Sequence, residues 1–314
     1  MEGIHSKYNN VPFHNFKHGL SVAHISFYFL TCTDAGSLLS SIQAFALVMS
    51  ALCHDLDHPG HTNAFEVNSG SERALIYNDT SVLENHHCAT ASRMLRREEC
   101  NILASLDKDE YKEFRSIMCR VILATDMSTH FALLSKFREA VHSAGGWSPQ
   151  QQSEKQLLLS TLLHAADLSN STRSWDISQD WAALVSAEFN AQVKMEKEMG
   201  LPFLPFMITD SDESRAKQEM NFIDFIIVPM WKDVVEFLPE LGFCLKNASD
   251  NRNNWKNLSV YTPSSSSGRP TSAQSSVSNG SRGVGSRPTS RENWAKSPPA
   301  SPSRSAGSPG SVGN

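Results

Sequence analysis

Ile42-Gln43-Ala44-Phe45-Ala46-Leu47-Val48-Met49-Ser50-Ala51-Leu52-Cys53-His54-Asp55-Leu56-Asp57-His58-Pro59-Gly60 is the stretch on which the fold class turns. Ile42 to Leu52 is apolar without the alternation of a half-buried strand, and Asp57-His58-Pro59-Gly60 reads as a turn. The spacing predicts a buried helix that delivers a His-Asp pair, and then another His, into its C-terminal turn.

Working outward, apolar positions recur at three and four from about Val11 to about Trp255, as in Leu20, Ala23, His24 and Phe27, or Phe222, Phe225, Ile226 and Pro229. The expectation is an all-α, compact multi-helix domain over residues 1–257. Loops are expected at Ala144-Gly145-Gly146, at Gly200-Leu201-Pro202 and from Asn63 to Ser71, which is rich in Asn, Ser and Gly. From about Leu258 the chain turns to Ser, Pro, Gly and Arg, too poor in large apolar residues to offset the entropy of ordering, so 258–314 reads as a disordered tail. Its Ser-Pro steps and Arg287-Pro288-Thr289-Ser290 are candidate sites for kinases.

The 314 residues carry a formal charge of −5. Six Lys/Arg against one Glu in the tail leave −10 on residues 1–257, which argues against a nucleic-acid polymer as partner. A small anion remains compatible if cations supply local positive charge. The six cysteines are scattered without paired spacing, the pattern of a reduced, cytoplasmic protein. No apolar run approaches the roughly 18 residues of a membrane span, and Met1 to Asn10 is too polar for a signal peptide.

Four places carry chemistry. His14-Asn15-Phe16-Lys17-His18 sets two imidazoles at i and i+4, on one face if helical. Cys53 to His58 supplies the His-Asp pair. Leu83-Glu84-Asn85-His86-His87 packs a carboxylate, an amide and two imidazoles together, and Leu163-His164-Ala165-Ala166-Asp167 places an aspartate where an unpaired charge would be costly. Two imidazoles with two carboxylates suit Zn²⁺, and an aspartate can bridge to a harder ion such as Mg²⁺. His24, His61, His130, His142 and His164 read as ordinary structural histidines.

These strings, with Tyr77-Asn78-Asp79-Thr80-Ser81-Val82, Ala124-Thr125-Asp126-Met127-Ser128, Asp167-Leu168-Ser169-Asn170 and Phe222-Ile223-Asp224-Phe225, resemble the catalytic domain of class I 3′,5′-cyclic nucleotide phosphodiesterases over residues 8 to about 235. Cys100 to Phe131 and Leu162 to Pro205 look most like the calmodulin-stimulated, dual-specificity enzymes. The resemblance implies hydrolysis of cAMP or cGMP. It makes His18, His54, Asp55 and Asp167 ligands of a tight Zn²⁺ site, with Asp55 bridging to Mg²⁺ or Mn²⁺ whose waters are held by His58, Glu84, His87 and Thr125. His14 becomes the general acid, with Glu84 able to orient it. Phe222 stacks the base, helped by Ile177 or Phe189, and Asn170 contacts it. The family's base-reading glutamine falls on Glu219, with Gln218 one residue earlier. An ionised glutamate there would favour guanine; a slip to Gln218 would restore the usual recognition.

Only thirteen residues precede His14, where the family carries several helices, so an N-terminally truncated domain is expected. Two other readings stand beside this one: another His-Asp phosphohydrolase, and an inactive pseudo-phosphodiesterase acting as a nucleotide-binding or scaffold protein. A homodimer is a candidate assembly.

Overall fold

The computed structural model describes residues 1–143, 147, 148 and 150–260. The Ala144-Gly145-Gly146 loop and the candidate kinase sites of the tail lie outside the described residues. Among the described residues there is no strand, and ten α-helices reach ten residues or more. They are α1 (Phe16–Cys32), α2 (Ser41–Cys53), α3 (Val82–Leu95), α4 (Lys108–Leu123), α5 (His130–Val141), α6 (Gln152–Asp167), α7 (Trp175–Met199), α8 (Asp212–Phe222), α9 (Val228–Phe237) and α10 (Gly242–Val260).

Local chemistry fixes where these helices start and stop. Ser40 opens α2 with a capping box: its hydroxyl accepts from the Gln43 N–H, and the Gln43 side chain accepts from the Ser40 N–H. Asp107 and Glu110 do the same for α4. Gly200 ends α7 at φ +68°, a left-handed conformation that a residue with a Cβ adopts at a cost.

The apolar run of α2 is buried through Ala46, Leu47, Ala51 and Cys53. It packs between α1 and α4, while α6 packs on α1, α4 and α5, and α8 on α10. Phe29, Leu47, Phe114, Ile117, Leu158, Leu159 and Trp231 are each less than 2% exposed and form the centre of this core.

Three sequence expectations are corrected. On α1, Leu20 and Phe27 are 46% and 56% exposed and His24 is exposed. The buried face is instead His18, Gly19, Val22, Ala23, Ser26 and Phe29, because α1 must carry His18 inward and bring Gly19 against Tyr8, where a Cβ would strike the phenol. Between α8 and α9 the chain makes a π-helical turn, Ile223–Ile227. It rotates the apolar register, so Ile223, Ile227 and Met230 are buried and Phe225 is 69% exposed. Finally, Asn63–Asn68 is a short helix, not a loop; Thr62 caps it by accepting from the Phe65 N–H.

Candidate active site

His18 lies in the first turn of α1, His54 and Asp55 follow directly on α2, and Asp167 is the last residue of α6. Asn15 caps α1 by accepting from the Lys17 N–H, so His14 sits before the helix and not one turn below His18 on a shared face. Packing of α1, α2 and α6 brings the other four together. His18 Nε2 is 2.9 Å from Asp167 Oδ1, 3.2 Å from His54 Nε2 and 3.3 Å from Asp55 Oδ2. His54 Nε2 is 3.1 Å from Asp55 Oδ2 and 3.2 Å from Asp167 Oδ1.

These donors fit a metal ion. His54 Nδ1 donates to the Ala51 carbonyl at 2.8 Å, which keeps its proton there and turns the Nε2 lone pair inward. Asp55 Oδ2 is buried and accepts no hydrogen bond. Two imidazole nitrogens and two carboxylate oxygens thus face one buried point with a net demand for positive charge. Burial opposes charge on His54, yet Asp55 and Asp167 hold its pKa well above the usual value. Burial likewise opposes ionisation of Asp167, and His54 and His18 bring its carboxyl far below the ordinary range.

The second oxygen of Asp55 faces the other way. Asp55 Oδ1 is 3.8 Å from His87 Nε2, and His87 Nδ1 donates to the Leu56 carbonyl at 2.7 Å. Ligand atoms of Asp55, His58 and His87 lie within 4.8 Å of one another, a second group that could hold an ion or its waters. Burial brings the pKa of His87 down to about 4, which keeps its Nε2 lone pair free. His58 Nδ1 accepts from the Gly60 N–H at 3.0 Å in the turn after α2, where Asp57 and Gly60 stand at φ +61° and +80°. His86, though next to His87, is turned away and binds Asp57 at 2.8 Å.

Glu84 is placed differently from expectation. It does not orient His14; its two oxygens accept from Asn63 Nδ2 at 3.2 and 2.9 Å, and burial pushes its pKa up to about 7. The carboxylate on His14 is Glu188, from α7. One oxygen is hydrogen-bonded to His14 Nδ1, and the other accepts from the Phe13 and His14 N–H groups at 2.9 and 3.2 Å. Burial disfavours charge on His14, but the Glu188 hydrogen bond and Asp55 raise its pKa overall. The His14 ring stacks on His58 at 3.9 Å.

Sequence reading missed Glu188 because one carboxylate on an acid-rich helix carries no local signal. Its trace is the spacing of Glu188, Gln192 and Glu196 at i, i+4 and i+8, all buried on one face of α7. Gln192 accepts from the Thr62 N–H at 2.9 Å and so holds the segment that leads to Asn63.

A cavity of about 720 Å³ joins these groups to α8. Thr125 and Asn170 line it, as do Gln218, Glu219, Phe222 and Phe189; Ile177, 37% exposed, does not. Of the histidines read as structural, His130 and His164 pair at 2.8 Å in the core, His61 faces Glu66 at 3.8 Å, and His142 faces Glu236 at 3.6 Å.

The fold and site together define an all-helical domain with a buried His-Asp centre at one end of a ligand-sized cavity. The model of the 3′,5′-cyclic nucleotide phosphodiesterase family matches residues 13–248, and the chain belongs to that family. It is 40% identical over 247 residues to the 3′,5′-cyclic-nucleotide phosphodiesterase regA of Dictyostelium discoideum, covering 79% of this chain and 31% of regA. It is 38% identical over 230 residues to the mouse (Mus musculus) dual specificity calcium/calmodulin-dependent 3′,5′-cyclic nucleotide phosphodiesterase 1C, covering 73% of this chain and 31% of that protein. The chain therefore spans about a third of the length of these curated relatives, and the calmodulin-dependent group is among them as the resemblance implied. The crystal structure of the phosphodiesterase domain of the RhoPDE fusion protein from the choanoflagellate Salpingoeca rosetta superposes with a TM-score of 0.80 at 39% identity, over 82% of each chain. Among the described residues no single helix is long and apolar enough to cross a membrane.

Proposed function

We propose that the chain hydrolyses 3′,5′-cyclic nucleotides, cAMP, cGMP or both, to 5′-monophosphates. The observation that carries this is the convergence of His18, His54, Asp55 and Asp167 at one end of a cavity that also holds His14 and Phe222. In this reading those four bind a divalent cation, Zn²⁺ by the nitrogen and oxygen character of the set. Asp55, with His58, His87, Thr125 and Glu84, would hold a second ion, Mg²⁺ or Mn²⁺, and its waters. When bound, such a pair supplies an activated water at neutral pH and offsets phosphate charge.

The chain's own residues do the rest. His14 in its imidazolium form gives a proton from Nε2 to the leaving 3′-oxygen, an acid suited to neutral pH. Glu188 accepts at Nδ1, orients the ring and favours its charged form. Phe222 offers a face for the purine, with Asn170, Gln218 and Glu219 around its edge. A cytoplasmic setting, supported by six free thiols, belongs to the same proposal, as do a homodimer and kinases acting on the tail.

The test is hydrolysis of cAMP and cGMP by the metal-replete protein, with metal content measured in parallel. Turnover that is lost on chelation and restored by divalent ions is expected. Metal bound without turnover of either nucleotide overturns the proposal, and nucleotide binding without turnover points to the inactive reading.

A further inference from the structure

Glu219 stands on the last turn of α8, 6% exposed, on the wall of the cavity that holds the His-Asp centre. The other buried carboxyls there have neighbours: Glu84 accepts from Asn63, Glu188 is hydrogen-bonded to His14, and Asp55 and Asp167 lie within ion-pair distance of His54 and His18. Among the described residues Glu219 receives no hydrogen bond and joins no ion pair. Burying an unpaired carboxylate is costly, so this position calls for a proton or for donors brought by a ligand. Phe222 follows at i+3 on the same side of the helix. Gln218, the alternative reader, donates its amide N–H to the Phe206 carbonyl at 3.3 Å, toward the segment before α8, and its buried Oε1 has no partner.

We propose that Glu219 reads the nucleobase through its own proton, so that the site takes both cyclic purine nucleotides when Glu219 is neutral and turns to cGMP when it is ionised. This rests on the cavity being a cyclic nucleotide site. A neutral carboxyl has one O–H donor and one carbonyl acceptor. It matches adenine, whose N1 accepts and whose amino group donates, and by exchanging roles it matches the O6 and N1–H of guanine. An ionised carboxylate only accepts. Guanine still supplies two donors, N1–H and the 2-amino group, whereas adenine turns its N1 lone pair against the charge.

The surroundings leave Glu219 free to titrate near neutrality. Burial pushes its pKa up to about 7, with Arg215, one turn earlier on α8, drawing it down. α10, the π-helical turn and α7 pack on α8. Arg252 of α10 is held by Asp224 of the turn at 2.6 and 2.7 Å, Lys246 of α10 by Asp250 at 2.6 Å, and Glu188 of α7 faces His14.

The experiment is kcat/KM for cAMP and for cGMP on the full chain from about pH 6 to about pH 8.5, for the native protein, Glu219→Gln and Gln218→Ala. The ratio of the two values cancels every titration common to both substrates, including those at the metal centre. In the native protein the cGMP preference should climb toward tenfold per pH unit above about 7. It should be flat in Glu219→Gln and should still climb in Gln218→Ala. A flat ratio in the native protein with turnover intact overturns this inference alone, as does a slope that survives Glu219→Gln or vanishes in Gln218→Ala. Absence of turnover with both nucleotides overturns the functional proposal, and the inference with it.

Discussion

At one end of the cavity, His18, His54, Asp55 and Asp167 arrive from α1, α2 and α6, and backbone carbonyls hold His54 and, beside the group, His87 in fixed orientations. At the other end, Glu219 and Phe222 sit on one turn of α8, and the Glu219 carboxyl has no partner among the described residues. The first end is over-determined: three helices converge on it and a backbone carbonyl fixes His54, so loss of one member leaves buried charge with no counterpart. The second is under-determined, and a single side chain can change what it recognises while the scaffold stays put.

The sharpest way to break the contrast is Asp167→Ala. Removing a ligand from a set that acts as a unit should cost activity on the order of 10⁴-fold and lower the bound metal, read by a hydrolysis assay and metal analysis. Activity retained at more than about a tenth would show that the first end is not the reactive one.

Glu219→Gln tests the second end through stability. The folded pKa of Glu219, about 7, lies above its ordinary value of 4.5 because burial disfavours the anion. The native protein is unpenalised below about pH 4.5, loses stability as pH rises from there to about 7, and stays penalised above. The conversion of a pKa difference to free energy puts the penalty at about 3 kcal/mol. Glu219→Gln should therefore melt higher than the native protein at pH 8, with the gap closing toward pH 5; equal Tm values at both would remove the claim of an unpartnered carboxyl.

Glu188→Gln probes the seam between the two ends. It keeps a hydrogen-bonding group on His14 but removes the charge, and kcat should drop about 10–100-fold with KM little changed, the range seen when the partner of a functional histidine is altered. The alkaline limb of the pH–rate profile, where His14 loses its proton, should shift toward lower pH, since less is left to raise the pKa of His14. Gly19→Ala acts on the scaffold of the first end alone. The new Cβ meets the Tyr8 phenol, whose hydroxyl donates to the Leu52 carbonyl at the end of α2. A loss of about 1–3 kcal/mol in denaturant unfolding is expected, with metal stoichiometry unchanged.

How legible each end was follows from how local its signal is. The His-Asp pair after an apolar run, and an aspartate after leucines, expose charge to burial within a few residues of sequence, so a buried His-Asp cluster could be anticipated there, with its four members named through the family resemblance. Glu188 could not, because its contact with His14 joins positions 174 residues apart and nothing beside it in the chain differs from a solvated acid. The Tyr77 to Ser81 string carries the resemblance, yet only the structure shows that Asn78, Asp79 and Ser81 take positive φ and that Ser81 donates to Asp126 at 2.7 Å to seat α3. On α1 the apolar period pointed to the wrong face, since inward positions there are given to His18 and to small residues.

By itself the sequence determined the helical class and the chemical types gathered at the His-Asp centre, because periodicity and the cost of buried charge both act over a few residues. Only the tertiary structure decided which carboxylate holds His14, which way α1 faces, and that Glu219 is buried on the cavity wall without a partner. Those outcomes depend on what distant helices bring within hydrogen-bonding reach, and no spacing along the chain encodes that distance.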